Sequence, residues 1–192
     1  MKSLIIEILV IVLAGLAIFT LINVTLQYSV VDGSSMEPNL HNGQRLLISK
    51  IAYNSNPPQR GEIIVFPPPH IANPDKDYIK RVIGLPGETI EIRDGVIYVN
   101  GSPLDEPYIE EPASGSLAPR IVPDNEYFVL GDNRNNSTDS RQGWTVPLSD
   151  IVGKAWISIW PPQVWGLAPN YSFPQQLGDT LGQVYVFISE TD

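Results

Sequence analysis

The longest apolar stretch of the sequence lies at its beginning. Residues 4–26, LIIEILVIVLAGLAIFTLINVTL, are apolar apart from Glu7, Thr20, Asn23 and Thr25. A helix of this length can cross the hydrocarbon core of a bilayer, which is roughly 30 Å thick. Glu7 stands near the start of the stretch, where its carboxylate can reach the headgroup region. The pattern therefore predicts one transmembrane helix over residues 4–26.

The charges around this helix indicate its direction. Lys2 precedes it, and the next basic residue is Arg45. Because basic flanks favour the cytoplasmic side, we expect a short cytoplasmic N-terminus, residues 1–3, and an extracytoplasmic domain, residues 27–192. The helix between them would anchor the protein in the lipid bilayer of the cell membrane. A cleaved secretory signal is the alternative, but its apolar region would be shorter and would end in a small-residue cleavage site, which residues 23–33 do not supply.

Beyond the helix, short apolar runs alternate with Gly, Pro, Asn and Asp, as is typical of strands. The 18 prolines and 15 glycines of the chain disfavour long helices there. The sequence therefore predicts one mainly β domain. The predicted strands are residues 45–53, 62–66, 78–83, 88–92, 96–100, 126–130 and 154–160.

Turn residues refine this prediction in three places. Asp94-Gly95 suits a two-residue hairpin turn that pairs Ile92 with Ile97 and Ile90 with Val99. Residues 101–125 lack periodicity and carry several prolines and acidic side chains, so they predict a surface loop. Residues 162–192 form a tail without a clear pattern, except that QVYVFIS near its end alternates like a strand.

Charge and cysteine content exclude some functions. The net charge of -9 argues against nucleic acid as a partner, since nucleic-acid binders cluster Lys and Arg on one face. The chain has no cysteine, which rules out disulfides, thiolate metal sites and a thiol nucleophile. We expect a monomer.

A serine nucleophile needs a base, and the sequence offers two kinds. His41 and His70 stand in no recognisable motif, although the members of a Ser-His-Asp triad need only meet in space. Lys80, in DYIKRVIG, is the other candidate, because strand alternation puts Tyr78, Lys80 and Val82 on one face, where burial disfavours the charged amine. A solvated strand carrying Lys80 is the simpler alternative.

Three sequence boxes narrow the choice. DGSSMEPNL, DYIKRVIGLPGE and GDNRNNSTDSR follow the apolar helix in this order, and together they resemble the conserved boxes of type I signal peptidases. The similarity spans the helix and residues 31 to about 161. It implies a largely antiparallel β fold, no metal or cofactor, and cleavage of signal peptides from exported preproteins after a small-x-small sequence.

The resemblance also implies roles for single residues. Ser35 matches the family nucleophile and Lys80 its general base, whereas Ser137 matches the serine that positions this lysine. The residues that match a supporting charged network are Asp139, Arg141 and Arg81. Gly33 stands where many members have a serine of the oxyanion hole, so that the hole would use the Ser35 backbone N–H and a second donor that the sequence does not identify.

Two other functions stay open from the sequence alone. A self-cleaving repressor-type protease shares Ser-Lys chemistry but requires a helical DNA-binding domain where this chain has its apolar helix. A non-catalytic, membrane-tethered β module that binds exported partners is the second alternative. Such a module would have no need of Ser35 or Lys80, and both are present.

Overall fold

A computed structural model describes residues 2–69 and 76–173 of the chain. The N-terminal helix α1 covers Lys2–Thr25 and exposes its large apolar side chains along its length. Within it, residues Leu4–Thr25 are long and apolar enough to cross a membrane. The side chains of Thr20, Asn23 and Thr25 each donate a 2.8 Å hydrogen bond to the carbonyl four residues earlier. Their polar groups are thus satisfied inside the helix, as an apolar environment requires.

The strands after this helix form two antiparallel sheets. The eight strands of the larger sheet are β1 Leu26–Val30, β2 Arg45–Ser49, β3 Ile63–Phe66, β4 Tyr78–Gly84, β9 Glu126–Leu130, β10 Val146–Pro147, β11 Gly153–Trp160 and β12 Gly166–Leu167. Their order is β1-β2-β11-β3-β4-β9-β10, and β12 pairs with β11. The smaller sheet has the order β7-β6-β5-β8, with β5 Thr89–Arg93, β6 Val96–Val99, β7 Ser102–Pro103 and β8 Leu117–Ile121.

The seven predicted strands all correspond to observed ones, and the hairpin between β5 and β6 has the predicted register. Ile90 pairs with Val99 and Ile92 with Ile97. The turn residues Asp94 and Gly95 have φ values of 49° and 80°. A type I′ turn requires a positive φ at both of these positions. The four aliphatic side chains are buried in one cluster with residues of β4 and β9, so the hairpin joins the smaller sheet to the larger one.

Five strands were not predicted from the sequence: the two-residue strands β7, β10 and β12, and the longer strands β1 and β8. Strand β1 begins at Leu26, directly after the helix, and runs antiparallel to β2. Residues 101–125 are not only a surface loop, so that prediction was wrong in part. Strand β8 pairs with β5, and Tyr108 and Ala113 are buried in the core. Strand β8 lies at a sheet edge and is mostly exposed, which lets it accept Pro119 and leaves it without an alternating pattern.

The first part of the tail is packed against the domain. A short 3-10 helix, Pro162–Val164, leads into β12, and residues 168–173 then run back over the sheet. Ala168 is buried, and the side chains of Tyr171 and Phe173 pack against the cluster that contains the β5–β6 hairpin. The strand-like QVYVFIS lies outside the described residues.

Candidate active site

Ser35 lies in the connection between β1 and β2. Met36 and Leu40 point into the apolar core and anchor this turn, and both are fully buried. Gly33 has a φ of 90°, a conformation that side chains disfavour, and its N–H donates a 2.9 Å hydrogen bond to Asn42 Oδ1. The anchored turn leaves Ser35 partly exposed between two fixed ends.

Lys80 lies in the middle of β4 and reaches the same place. Its side chain is only 4% exposed, and its Nζ donates a 2.8 Å hydrogen bond to Ser35 Oγ and a 3.0 Å hydrogen bond to Ile79 O. The ring of Tyr78 lies 5.2 Å from the same nitrogen. The lysine is therefore not part of a solvated strand but is enclosed beside the serine.

Burial changes the acidity of this lysine. Loss of solvation lowers the pKa of Lys80 from 10.5 to about 8, and the carboxylates of Asp139 and Asp132 oppose this shift. Because one pKa unit corresponds to a tenfold change in the charged-to-neutral ratio, several per cent of the amine is neutral already at pH 7. A neutral amine within hydrogen-bond distance of a hydroxyl can act as its general base.

A cavity of about 190 Å³ adjoins this pair. Residues Val31, Asp32 and Met36 line it from the β1 side, and residues 77–80 line it from the β4 side. The cavity is open at its mouth and mixes apolar with polar surface. A small side chain can therefore enter next to Ser35 Oγ.

Arg81 points to the opposite side of β4 and is fully buried. Its Nε and Nη2 donate hydrogen bonds of 2.7 Å and 2.6 Å to the two carboxylate oxygens of Asp132. Asn39, which belongs to the same turn as Ser35, donates a 2.9 Å hydrogen bond to Asp132 Oδ2. Burial raises the pKa of the Asp132 carboxyl, and the Arg81 guanidinium opposes that rise.

Asp139 pairs with Arg141 and not with Arg81. Its carboxylate accepts 2.8 Å hydrogen bonds from Nε and Nη2 of Arg141, and it also accepts from the backbone N–H of Gly131 at 3.2 Å. The same side chain caps the short 3-10 helix Ser140–Gln142. The residues of the expected charged network thus form two separate pairs, Arg81 with Asp132 and Arg141 with Asp139.

The hydroxyl oxygen of Ser137 is buried beside Gly131. A methyl group added to Gly131 would lie 2.3 Å from Ser137 Oγ and 2.5 Å from Ser35 O, so glycine permits this close approach. Ser137 Oγ has no hydrogen-bond partner within the described part of the chain. The hydrogen bond to Lys80 that the resemblance implies is therefore not formed in this arrangement. A buried hydroxyl without a partner costs about 1–3 kcal/mol, which makes it a candidate for a functional role.

Comparisons with known proteins identify the family of this chain. Residues 4–160 match the family model described as signal peptidase, peptidase S26. The chain belongs to the signal peptidase family, peptidase S26. This membership confirms the resemblance drawn from the three boxes, and it makes the chain a hydrolase that cleaves signal peptides.

Several curated relatives are similar over most of the chain. A probable signal peptidase I-1 of Synechocystis sp. is 42% identical over 148 residues, 74% of this chain and 76% of the relative. A signal peptidase I of Leptolyngbya laminosa is 44% identical over 74% of this chain and 73% of its own length, and that of Bacillus caldolyticus is 42% identical over 69% and 78%. A crystal structure of a signal peptidase I from Enterococcus faecalis V583 is 37% identical, covers 50% of this chain and 95% of its own, and has a TM-score of 0.45.

The histidine alternative finds no support in the described part of this family member. His41 is exposed, and its Nδ1 lies 4.0 Å from Glu37 Oε1. His70 lies outside the described residues. The base that stands at hydrogen-bond distance from Ser35 Oγ is Lys80.

Sequence reasoning missed the residues that hold the serine turn. The backbone N–H of Asn133 donates to Ser35 O at 3.0 Å, and its side chain donates to Ser34 O at 3.2 Å. Asn136 Nδ2 donates to Ser34 Oγ at 2.8 Å. Both asparagines belong to the box GDNRNNSTDSR, as does Asp132, so the box itself was the available signal.

Proposed function

We propose that this protein is a membrane-anchored serine endopeptidase that removes N-terminal signal peptides from exported preproteins, with Ser35 as the nucleophile and Lys80 as the general base. The observation that carries the proposal is the 2.8 Å contact between Lys80 Nζ and Ser35 Oγ, made by a lysine whose pKa burial lowers to about 8. The sequence pattern of the three boxes supports the same assignment.

The reaction begins when the neutral amine of Lys80 accepts the proton of Ser35 Oγ. The oxygen then attacks the carbonyl carbon of the scissile peptide bond, and the resulting oxyanion is stabilised by the backbone N–H of Ser35 together with a second donor. Collapse of this intermediate breaks the C–N bond, and the Lys80 ammonium gives its proton to the leaving amine. Lys80 next deprotonates a water molecule, whose attack on the ester releases the signal peptide and restores Ser35.

The remaining site residues act as support. We assign Ser137 the role of a hydroxyl that turns toward Lys80 and orients its lone pair when substrate is bound. Asp139 and Arg141 brace the segment that carries Ser137, and Arg81 braces β4. The apolar part of the cavity beside Ser35 accepts the small side chain that precedes the cleavage site.

The short distance between helix and serine supports work at a membrane. Ser35 lies ten positions after Thr25, the last residue of α1, and ten residues of extended chain span at most about 35 Å. We therefore place the helix, predicted over residues 4–26 and ending at Thr25, in the cell membrane. We further propose that residues 1–3 lie in the cytoplasm, that the catalytic domain, residues 27–192, lies on the outer side, and that the protein is a monomer. A membrane-inserted signal peptide presents its cleavage site at this level.

Two experiments test the cleavage activity and the orientation of the protein in the membrane. Full-length protein in detergent is incubated with a preprotein, and the new N-terminus is sequenced. We expect a single cut after a small-x-small sequence, and no cut by Ser35→Ala. In intact cells, protease added outside should digest residues 27–192 without permeabilisation. Cleavage by Ser35→Ala would overturn the nucleophile assignment, and digestion only after permeabilisation would reverse the orientation.

A further inference from the structure

The segment 168–173, here called the strap, lies beyond the residues that match the family model, which end at 160. It is tied to the larger sheet by hydrogen bonds. The N–H of Ala168 donates to Trp156 O at 2.8 Å, and the N–H of Tyr171 donates to Gly61 O at 3.1 Å. The strap thus bridges β11 and the residues just before β3.

Asn170 fits into a gap in the sheet. Strands β3 and β11 pair only at Gly153–Val65 and Lys154–Ile64 before β11 turns away. Past that point, Asn170 Oδ1 accepts a 2.7 Å hydrogen bond from the N–H of Ile63, and its Nδ2 donates at 2.9 Å to Ala155 O. The side-chain amide therefore takes the place of a peptide group and satisfies two groups that the diverging strands leave open.

Pro169 and Tyr171 of the strap enclose Arg81. Pro169 O accepts a 2.9 Å hydrogen bond from Arg81 Nη1, which also donates to Gly61 O at 2.7 Å. The Arg81 guanidinium carbon lies 5.0 Å from the ring centre of Tyr171 and 4.3 Å from that of Tyr108. The guanidinium is thus held by two aromatic rings, two carbonyls and one carboxylate, and its position depends on the strap.

Arg81 connects the strap to the reacting atoms by two routes. Along β4 it follows Lys80 directly, so that a shift of its backbone moves the base. Through space it holds Asp132, which accepts a hydrogen bond from Asn39 in the serine turn and is next in sequence to Asn133, whose N–H holds Ser35 O. A change at the strap is therefore transmitted to both members of the Ser35–Lys80 pair.

We propose that the strap is a positioning element of the active site, in which Asn170 anchors the strap to the sheet while Pro169 and Tyr171 hold Arg81 in its pair with Asp132. This arrangement keeps Lys80 shielded from water and in line with Ser35. The inference rests on the proposed function of Lys80 as the base. The strap touches neither Ser35 nor Lys80 in the contacts described above, and its residues act through Arg81. A role limited to fold stability is the competing explanation, and it predicts no change in the acidity of Lys80.

The test compares four full-length variants in detergent. Tyr171→Leu removes the ring that stacks on Arg81, Tyr171→Phe keeps it, and Asn170→Ala removes the inserted amide. Ser172→Ala is the matched control, since this residue directly follows Tyr171 in the strap and is exposed. Thermal unfolding gives the folded fraction of each variant, to which all rates are normalised.

Two readouts separate positioning from stability. The first is the titration of the Lys80 amine, followed by NMR with labelled lysine, which needs no cleavage. The Ser35 hydroxyl and the Tyr78 ring contact this amine, and Asp32 and Asp77 line the same cavity. The carboxylates of Asp139 and Asp132 oppose the lowering of its pKa. Because burial lowers the pKa of Lys80, admission of water should move its titration to higher pH in Tyr171→Leu and Asn170→Ala. Tyr171→Phe and Ser172→Ala should titrate like the wild type.

The second readout is the kinetics on one preprotein. We expect kcat of Tyr171→Leu and Asn170→Ala to fall by roughly tenfold per folded molecule, with KM within about twofold of wild type. An unchanged Lys80 titration together with an unchanged kcat per folded molecule would overturn the proposal and leave the strap a stabilising segment. If the Ser35→Ala variant cleaved the preprotein as well as the wild type does, the proposed function would be contradicted. The Lys80 titration would still show whether the strap positions Lys80.

Discussion

Lys80 and Arg81 are neighbours on β4, and both are buried, but their surroundings differ. Successive residues of a strand point to opposite faces, so Lys80 faces the cavity and Ser35 whereas Arg81 faces Asp132 and two aromatic rings. Arg81 has a bidentate carboxylate partner. Lys80 makes no ion pair within the described residues, and the serine hydroxyl and a backbone carbonyl accept its hydrogen bonds.

This difference decides what each cation can do. A buried guanidinium that is paired bidentately with a carboxylate stays charged. Removal of either member of the pair leaves the other as an uncompensated buried charge. A buried amine without such a partner is destabilised in its charged form and releases its proton more easily. One strand thus carries the proposed base, Lys80, and at the next position a guanidinium whose charge is structural.

The largest expected effect comes from removing the base. Lys80→Met should lower kcat/KM on a preprotein by at least about 10²–10⁴-fold, because Ser35 then has no group to accept its proton. The double variant His41→Ala with His70→Ala is the control and should keep near wild-type activity. A Lys80→Met enzyme that still cleaves, or an inactive double-histidine variant, would assign the base to histidine.

Substitutions at the two sites should change the free energy of unfolding in opposite directions. Asp132→Ala strands the fully buried Arg81 and should cost about 3–5 kcal/mol in the free energy of unfolding. Lys80→Met removes a buried charge that lacks a carboxylate partner and should raise the free energy of unfolding at pH 7 by up to about 3 kcal/mol. Denaturant unfolding of the full-length variants in detergent measures both.

The pH dependence of the second effect has a definite sign. The folded pKa of Lys80 is about 8, below its ordinary value of 10.5, so between these values the unfolded chain binds more protons. The penalty from burying the ammonium is therefore complete below pH 8 and fades as the pH rises to about 10.5. A stabilisation by Lys80→Met that persists undiminished at pH 10.5 would have to come from packing and not from charge.

The smallest effect is the slope of the activity profile. Because only the neutral amine accepts the proton of Ser35, kcat/KM should rise about tenfold per pH unit up to pH 8 and then stay level. A preprotein without titratable side chains near its cleavage site avoids contributions from the substrate. An acidic limb centred near 6.5, the ordinary pKa of histidine, would contradict the assignment of Lys80.

Local patterns in the sequence predicted much of this molecule. The apolar stretch predicted the helix, and alternation bounded by Gly and Pro predicted seven strands that the structure contains. Asp94-Gly95 set the register of its hairpin. These features depend on residues close in sequence, through backbone sterics and side-chain periodicity, so they are readable without the fold. The three boxes likewise indicated the family, and they supplied the candidate residues of the proposed chemistry.

Only the tertiary structure decided which of these residues meet. Arg81 could have paired with any of several acidic residues. Its partner is Asp132 because β4 and β9 are adjacent and only one residue separates Asp132 from the end of β9. The same holds for β8, whose exposed edge position erases the pattern of a buried strand, and for the strap, where Asn170 fills a gap opened by the divergence of β3 and β11. Contacts of this kind depend on distances between segments far apart in the chain, and a pattern along the chain does not contain those distances.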